Sequence, residues 1–294
     1  MAAILSGVIA SILLFINTIF WSIFLFVFAF FKIIVPIKPV RKVITAILNW
    51  IAESWVTCNS GWMHLTQKMD WQIERPANLD KKGWYFVISN HQSWVDILVL
   101  QRVLNGHVPL LKFFLKQELI RVPIMGAAWW ALDFPFMKRY SKAFLKKHPE
   151  LHGQDIETTR KACEKFKHLP TSVMNFLEGT RYSQEKHDQQ KSPYQHLLKP
   201  KAGGMAFAMS AMGDQFKSVL NVTIYYPQGI PTFWDFLQGK MERCQVVVKE
   251  IAIPEELRQG DYAEDDQYRL DFQQWVQDLW IEKDELLVKL HQQD

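Results

Sequence analysis

From Met1 to Phe31 the chain carries no charged side chain, and the core of this run is ILSGVIASILLFINTIFWSIFLFVFAFF. A helix needs about 20 apolar residues to cross the hydrocarbon of a bilayer, and this run exceeds that. A buried core helix of such length would have to be enclosed by protein on every side. A signal peptide fits less well, because no basic residue precedes the apolar stretch and the stretch is too long. Residues 1–36 are therefore expected to form a transmembrane or membrane-embedded segment. Lys32, Lys38, Arg41 and Lys42 follow it, which by the positive-inside tendency puts the later residues in the cytoplasm. Asn17-Thr18 lie mid-run, and a turn there would make the segment a hairpin dipping into one leaflet. In the next stretch, 37–70, residues 43–69 read as a second helix with Ile44, Ile47, Leu48, Ile51 and Trp55 apolar. That helix is expected to act as a linker along the interface.

The 294 residues leave room for one further domain, 71–294. With 49% hydrophobic and 22% charged residues, the chain is neither disordered nor uniformly membrane-embedded. Its 12 tryptophans suit either a core or a membrane–water boundary. A net charge of +4 without a long basic run gives no argument for nucleic acid. Cys58, Cys163 and Cys244 are scattered and lack metal-ligand spacing, so inert reduced thiols are expected.

Residues 71–85 read as a polar connector. Beyond them, strand candidates at 84–89, 110–114, 133–137, 172–177, 218–225 and 244–252 alternate with helix candidates at 93–105, 116–131, 154–167, 202–212 and 262–291. This alternation argues for an α/β domain with a largely buried sheet. The polar stretch 182–199 reads as a surface loop. The last helix is amphipathic through Leu270, Trp275, Val276, Leu279 and Trp280, and is expected to dock on the domain.

Asn90-His91-Gln92-Ser93-Trp94-Val95-Asp96 follows a predicted strand and opens a helix. His91 would stand at the carboxyl edge of the sheet, where α/β folds collect ligands. Asp96, in the first helical turn, would be within reach of the imidazole and fix its tautomer, leaving the other ring nitrogen to accept a proton. Alcohols are weak nucleophiles at neutral pH and need such a base. Ser93-x-x-Asp96 has a second reading, as a capping box closing the helix start. Phe176-Leu177-Glu178-Gly179-Thr180-Arg181 also ends a strand. Gly179 permits an unusual backbone angle, and Arg181 offers a fork suited to phosphate or stays a solvated surface residue. Lys116 near a predicted helix start, Arg139 after a strand, and Lys199 and Lys201 before Gly203-Gly204 are further candidates for anions or for ordinary surface charge. No G-x-S-x-G, P-loop or H-E-x-x-H motif occurs. A histidine base without a protein nucleophile points to direct transfer.

Together N-H-Q-S-x-x-D (90–96), L-K-x-E-L-x-x-V-P-x-x-G (115–126) ending in Lys138-Arg139, and E-G-T-R (178–181) resemble, in order and spacing, the 1-acylglycerol-3-phosphate acyltransferase family. Gln184-Glu185-Lys186-His187, 197–204 and 237–240 are similar to a branch holding proteobacterial inner-membrane acyltransferases and some eukaryotic lysophospholipid acyltransferases. The resemblance runs from about residue 38 to the end. It implies a glycerol-phosphate acyltransferase-like domain, a mixed sheet flanked by helices. It also implies an acyl-CoA or acyl carrier protein donor, a lysophospholipid acceptor, no cofactor, and a place on the cytoplasmic face of the inner membrane. His91 would be the general base and Asp96 its orienting partner. Arg181 would hold the acceptor phosphate with Lys116 and Arg139, and Asn90, Glu178, Gly179 and Thr180 would shape that pocket. One departure is the family's late V-P-V-x-I segment, present here as Val219–Ile224 without the proline.

Overall fold

The computed structural model describes residues 1–137 and 169–293. In chain order it runs α1 (Ala2–Ile34), α2 (Lys38–Thr66), β1 (Asp70–Glu74), β2 (Tyr85–Ser89), α3 (Val95–Leu104), β3 (Leu111–Phe113), β4 (Leu115–Lys116), α4 (Met125–Ala131), β5 (Phe136–Met137) and β6 (Ser172–Phe176). Then come α5 (Gln184–Gln190), α6 (Gly203–Met212), β7 (Ser218–Tyr225), α7 (Phe233–Leu237), β8 (Arg243–Ile251) and α8 (Asp266–Gln293). Six strands make one sheet in the order β1-β8-β7-β2-β6-β3, and β4 pairs β5 separately. Every pairing in the large sheet is parallel except β7 with β8. The sheet is mixed and its central strands β2 and β7 are buried along their whole length, as expected of parallel strands covered on both faces.

Alternation along β2 divides the core. Tyr85 and Val87 face one apolar cluster with α2, α3 and α4, whereas Phe86 and Ile88 face a second with α6 and α8. The last helix docks as expected. Phe272, Val276, Trp280 and Leu287 recur at helical spacing, each at most 1% exposed, although Leu270 faces out.

The N-terminal run is one unbroken helix through Asn17 and Thr18, so no turn interrupts it. Instead Asn17 Nδ2 donates to Trp55 O (3.0 Å) and Asn59 Oδ1 (2.8 Å) on α2, and Trp55 Nε1 donates to Thr18 Oγ1 (3.2 Å). These pairs, with Ser6 Oγ donating to Thr66 O, make α1 and α2 an antiparallel hairpin. Both ends of α1 also meet the sheet domain. A Cβ on Gly7 would lie 3.0 Å from Trp234 on α7, and Lys32 Nζ lies 2.5 Å from Asp133 Oδ2 and donates to Ala131 O. Most of the remaining surface of α1 is exposed and apolar, including Phe15, Phe20, Ile23 and Phe30. An apolar cleft lies between the hairpin and α4, lined by Trp21, Leu25, Ile51, Ala128 and Trp129.

Several sequence expectations change. The supposed connector holds β1, an edge strand whose burial alternates along charged residues and which pairs with β8. The single helix expected over 116–131 is a short 3₁₀ turn, Gln117–Arg121, a break at Pro123, and α4. The break is fixed by Gly126, where any Cβ would run into the Ile120 carbonyl. The strand expected at 133–137 shrinks to β5. The loop 182–199 contains α5 and buries Tyr194, Leu197 and Leu198 against the second cluster. Arg139, Cys163 and the helix expected at 154–167 lie outside the described residues.

Candidate active site

Strands β2 and β6 pair in register, with Ser89 opposite Phe176. The residues that follow each strand therefore emerge side by side at the carboxyl edge. His91 N donates to Glu178 Oε1 (2.7 Å), and Tyr182 N donates back to His91 O (2.7 Å). The two motifs, 87 residues apart in sequence, are thus one structure.

His91 Nδ1 lies 2.9 Å from Asp96 Oδ2. The imidazole is 14% exposed and the carboxylate 1%. The same Oδ2 accepts the backbone N–H of Gln92 (2.6 Å) and of Ser93 (2.8 Å). Asp96 thus bonds both the imidazole and the backbone leading into α3, but the reciprocal capping box does not form, because the Ser93 hydroxyl points to Pro231 O. An acceptor on Nδ1 places the proton there and leaves Nε2 as the basic nitrogen. The ring stacks on Phe176, centroids 3.8 Å apart and planes 14° apart, which fixes its second rotational freedom. Ser93 is buried and its hydroxyl donates to Pro231 O (2.6 Å), so it is not presented as a nucleophile.

Arg181 is exposed at the same edge, its guanidinium 4.8 Å over the ring of Trp94. Such stacking holds the fork flat and leaves its N–H edge free to meet an anion. Gly179 turns the chain at φ +70°, the left-handed region that a Cβ disfavours. Thr180 Oγ1 accepts from Lys186 Nζ (2.9 Å), which also donates to Arg181 O. Lys116 is exposed on β4.

Two of the expected pocket residues lie behind the surface of the edge. Glu178 is fully buried, and its oxygens accept His91 N and Leu198 N (3.1 Å). Burial pushes its pKa up to about 8, against the pull of those two backbone donors. Asn90 is 1% exposed and its amide bridges Ile224 N and O (both 2.9 Å), locking β2 to β7. Both residues brace the edge through backbone partners.

Three participants were missed. Tyr226, one residue beyond β7, donates its hydroxyl to Asp96 Oδ1 (2.7 Å). Phe176, the last residue of β6, stacks on the His91 ring. Lys283, a lone cation on the apolar stripe of α8, is buried and donates to Val222 O and Thr223 Oγ1 (3.3 Å); burial drops its pKa to about 7, and Glu178 pulls it back up. A polar residue ending a strand and a lysine inside an apolar stripe were the available signals. Among the described residues no group of three or more His, Cys, Asp or Glu is arranged to hold a metal ion.

The crystal structure of the 1-acyl-sn-glycerophosphate (LPA) acyltransferase PlsC from Thermotoga maritima matches 95% of this chain and 98% of its own, with a TM-score of 0.51 at 18% identity. The family model described as Acyltransferase matches residues 70–227, more than half of the chain, and the chain belongs to that family. It is 25% identical over 259 residues to 1-acyl-sn-glycerol-3-phosphate acyltransferase 3 of Arabidopsis thaliana, covering 79% of this chain and 63% of that protein. It is 26% identical over 213 residues to 1-acyl-sn-glycerol-3-phosphate acyltransferase delta of Mus musculus, covering 67% of this chain. The chain spans between half and just under two thirds of the length of these relatives.

Proposed function

We propose that the chain transfers a fatty acyl group from acyl-CoA or acyl carrier protein to the sn-2 hydroxyl of lysophosphatidate, giving phosphatidate. The observation that carries this reading is the His91–Asp96 pair, with Nδ1 held at 2.9 Å and an arginine at the same edge. The relatives named for that reaction support it. His91 Nε2 takes the proton of the acceptor hydroxyl as its oxygen attacks the thioester carbonyl. The tetrahedral adduct collapses, the C–S bond breaks, and the thiolate leaves with the proton returned by the imidazolium. Asp96 keeps the tautomer and balances the imidazolium. Arg181 holds the acceptor phosphate. No acyl-enzyme forms and no cofactor is needed.

The α1–α2 hairpin would sit in the bilayer and deliver the lipid to this edge. Because Gly7 and Lys32, near opposite ends of a helix about 50 Å long, both abut the sheet domain, a hairpin lying along one leaflet fits better than a helix crossing it. Lys38, Arg41 and Lys42 would meet cytoplasmic headgroups of the inner membrane.

The test is acyl transfer by the purified chain in lipid, with several lysolipid acceptors and both donors. His91→Ala should remain folded and lose at least about 10²-fold in rate. Wild-type turnover in that variant would overturn the reading. Fatty acid release independent of acceptor would assign a hydrolase instead.

A further inference from the structure

We propose that Tyr226 is a positioning residue of the reaction: its hydroxyl fixes the Asp96 carboxylate from the side opposite His91 and thereby sets how strongly the imidazole holds a proton. The assignment rests on the functional reading above for its catalytic consequence, and on the geometry for the coupling itself.

The donors around Asp96 are divided unevenly. His91 Nδ1, Gln92 N and Ser93 N converge on Oδ2, and Tyr226 alone among the described residues reaches Oδ1. Asp96 is 0% exposed, so without the phenol one oxygen of a buried carboxylate would have neither protein nor bulk water as donor. Such a group is costly to leave unmade. Tyr226 is itself 5% exposed, within the apolar cluster beneath the hairpin. Burial and the neighbouring carboxylate push its ionisation well above the ordinary phenol range, so it remains a donor wherever a histidine base operates.

A donor on one carboxylate oxygen draws charge away from the other. The Oδ2 that faces the imidazole is then a weaker partner for imidazolium, and His91 gives up its proton more readily in the second half of the reaction. The other titratable groups facing the pair are few. Glu178 approaches from the turn after β6 and Cys244 from β8. Burial holds the Cys244 thiol neutral, and Asp96 pushes it the same way. Lys283 of α8 acts on Glu178 rather than on Asp96. The phenol is thus the nearest polar control on the carboxylate besides the chain that carries it.

The experiment follows the His91 ring by nitrogen-15 NMR in the full chain in lipid nanodiscs, its signal assigned by loss in His91→Gln. In Tyr226→Phe the titration midpoint should rise by about half a pH unit or more. With 3-fluorotyrosine at 226, a stronger donor of nearly the same shape, it should fall. A merely structural role would not move the midpoint in opposite directions. Tyr225→Phe, whose ring packs 4.4 Å from His291, should leave it in place. In turnover, Tyr226→Phe should lower kcat about tenfold or more with little change in KM, and shift the acid limb with the NMR midpoint. An unmoved midpoint in both 226 variants overturns the assignment, whatever the activity. Should Tyr226→Phe not fold, the fluorinated chain still decides it. Absent acyl transfer by the wild type, with both shifts intact, would overturn the functional reading and uphold the coupling.

Discussion

Arg181 over Trp94 and His91 over Phe176 are two stacked pairs with different duties. The first is exposed, and an exposed cation–π pair contributes about 0.5–1 kcal/mol. Trp94→Ala should therefore raise KM for a phosphorylated acceptor about 2- to 5-fold. Arg181→Ala, which removes the charged donor itself, should raise it about 10-fold or more. Donor KM should hardly change in either, and steady-state kinetics with each substrate varied separately would decide; equal effects on both substrates would make Arg181 structural. Residues sharing one turn were legible in the sequence, as with His91 and Asp96, because the helix start forces them together. Tyr226 and Phe176 were not, because their contacts depend on which strand lies beside which. The partners of Glu178 depend on the same kind of pairing, because the register of β2 with β6 brings its oxygens to the backbone N–H groups of His91 and Leu198.

Among the elements, runs with a consistent period were placed well. β2, β6 and β7 are short and largely apolar, and α3, α6 and α8 keep helical spacing. The failures are short or interrupted segments. β1 alternates Trp71 and Ile73 with Asp70, Gln72 and Glu74, but over five residues only, and it lies at the sheet edge beside β8. Within 116–131 the chain breaks at Pro123, and Gly126 packs so close to the Ile120 carbonyl that no side chain fits there. Gly126→Val should therefore distort the turn and α4 and lower the thermal midpoint in detergent by several degrees. The clamp at the end of α1 allows a second check. Lys32 and Asp133 are 12% and 22% exposed. Removing one partner of a mostly buried pair leaves the other uncompensated. Lys32→Ala should then destabilise by about 1–3 kcal/mol and open the cleft beside α4, read as faster hydrogen exchange over 125–133.

Across the whole molecule, pH acts through the buried couple beneath the site. Glu178 keeps a proton in the folded state up to about 8, against an ordinary value of 4.5. Over that window the native chain binds more protons than the unfolded one, so this group lowers stability as pH rises. Lys283 behaves oppositely. With its folded value near 7 and an ordinary 10.5, the unfolded chain binds more protons between them, and stability rises with pH across that window. Relative to Glu178→Gln, wild type should lose thermal stability from about pH 4.5 to 8; relative to Lys283→Met, it should gain from about pH 7 to 10.5. Midpoints measured over a pH series in detergent would reveal both slopes, and flat differences would mean that neither group titrates as described.

One face of the sheet is covered by α2 directly, with α1 braced across it from Gly7 to Lys32. The hairpin proposed as the membrane anchor is also the lid of the hydrophobic interior. Cutting the chain after residue 66 would not release a tractable water-soluble enzyme; it would strip Leu48, Ile51 and Trp62 from the core and leave a greasy sheet prone to clumping. A designer wanting this catalyst without a bilayer would have to repaint the outer surface of α1 and keep the helix.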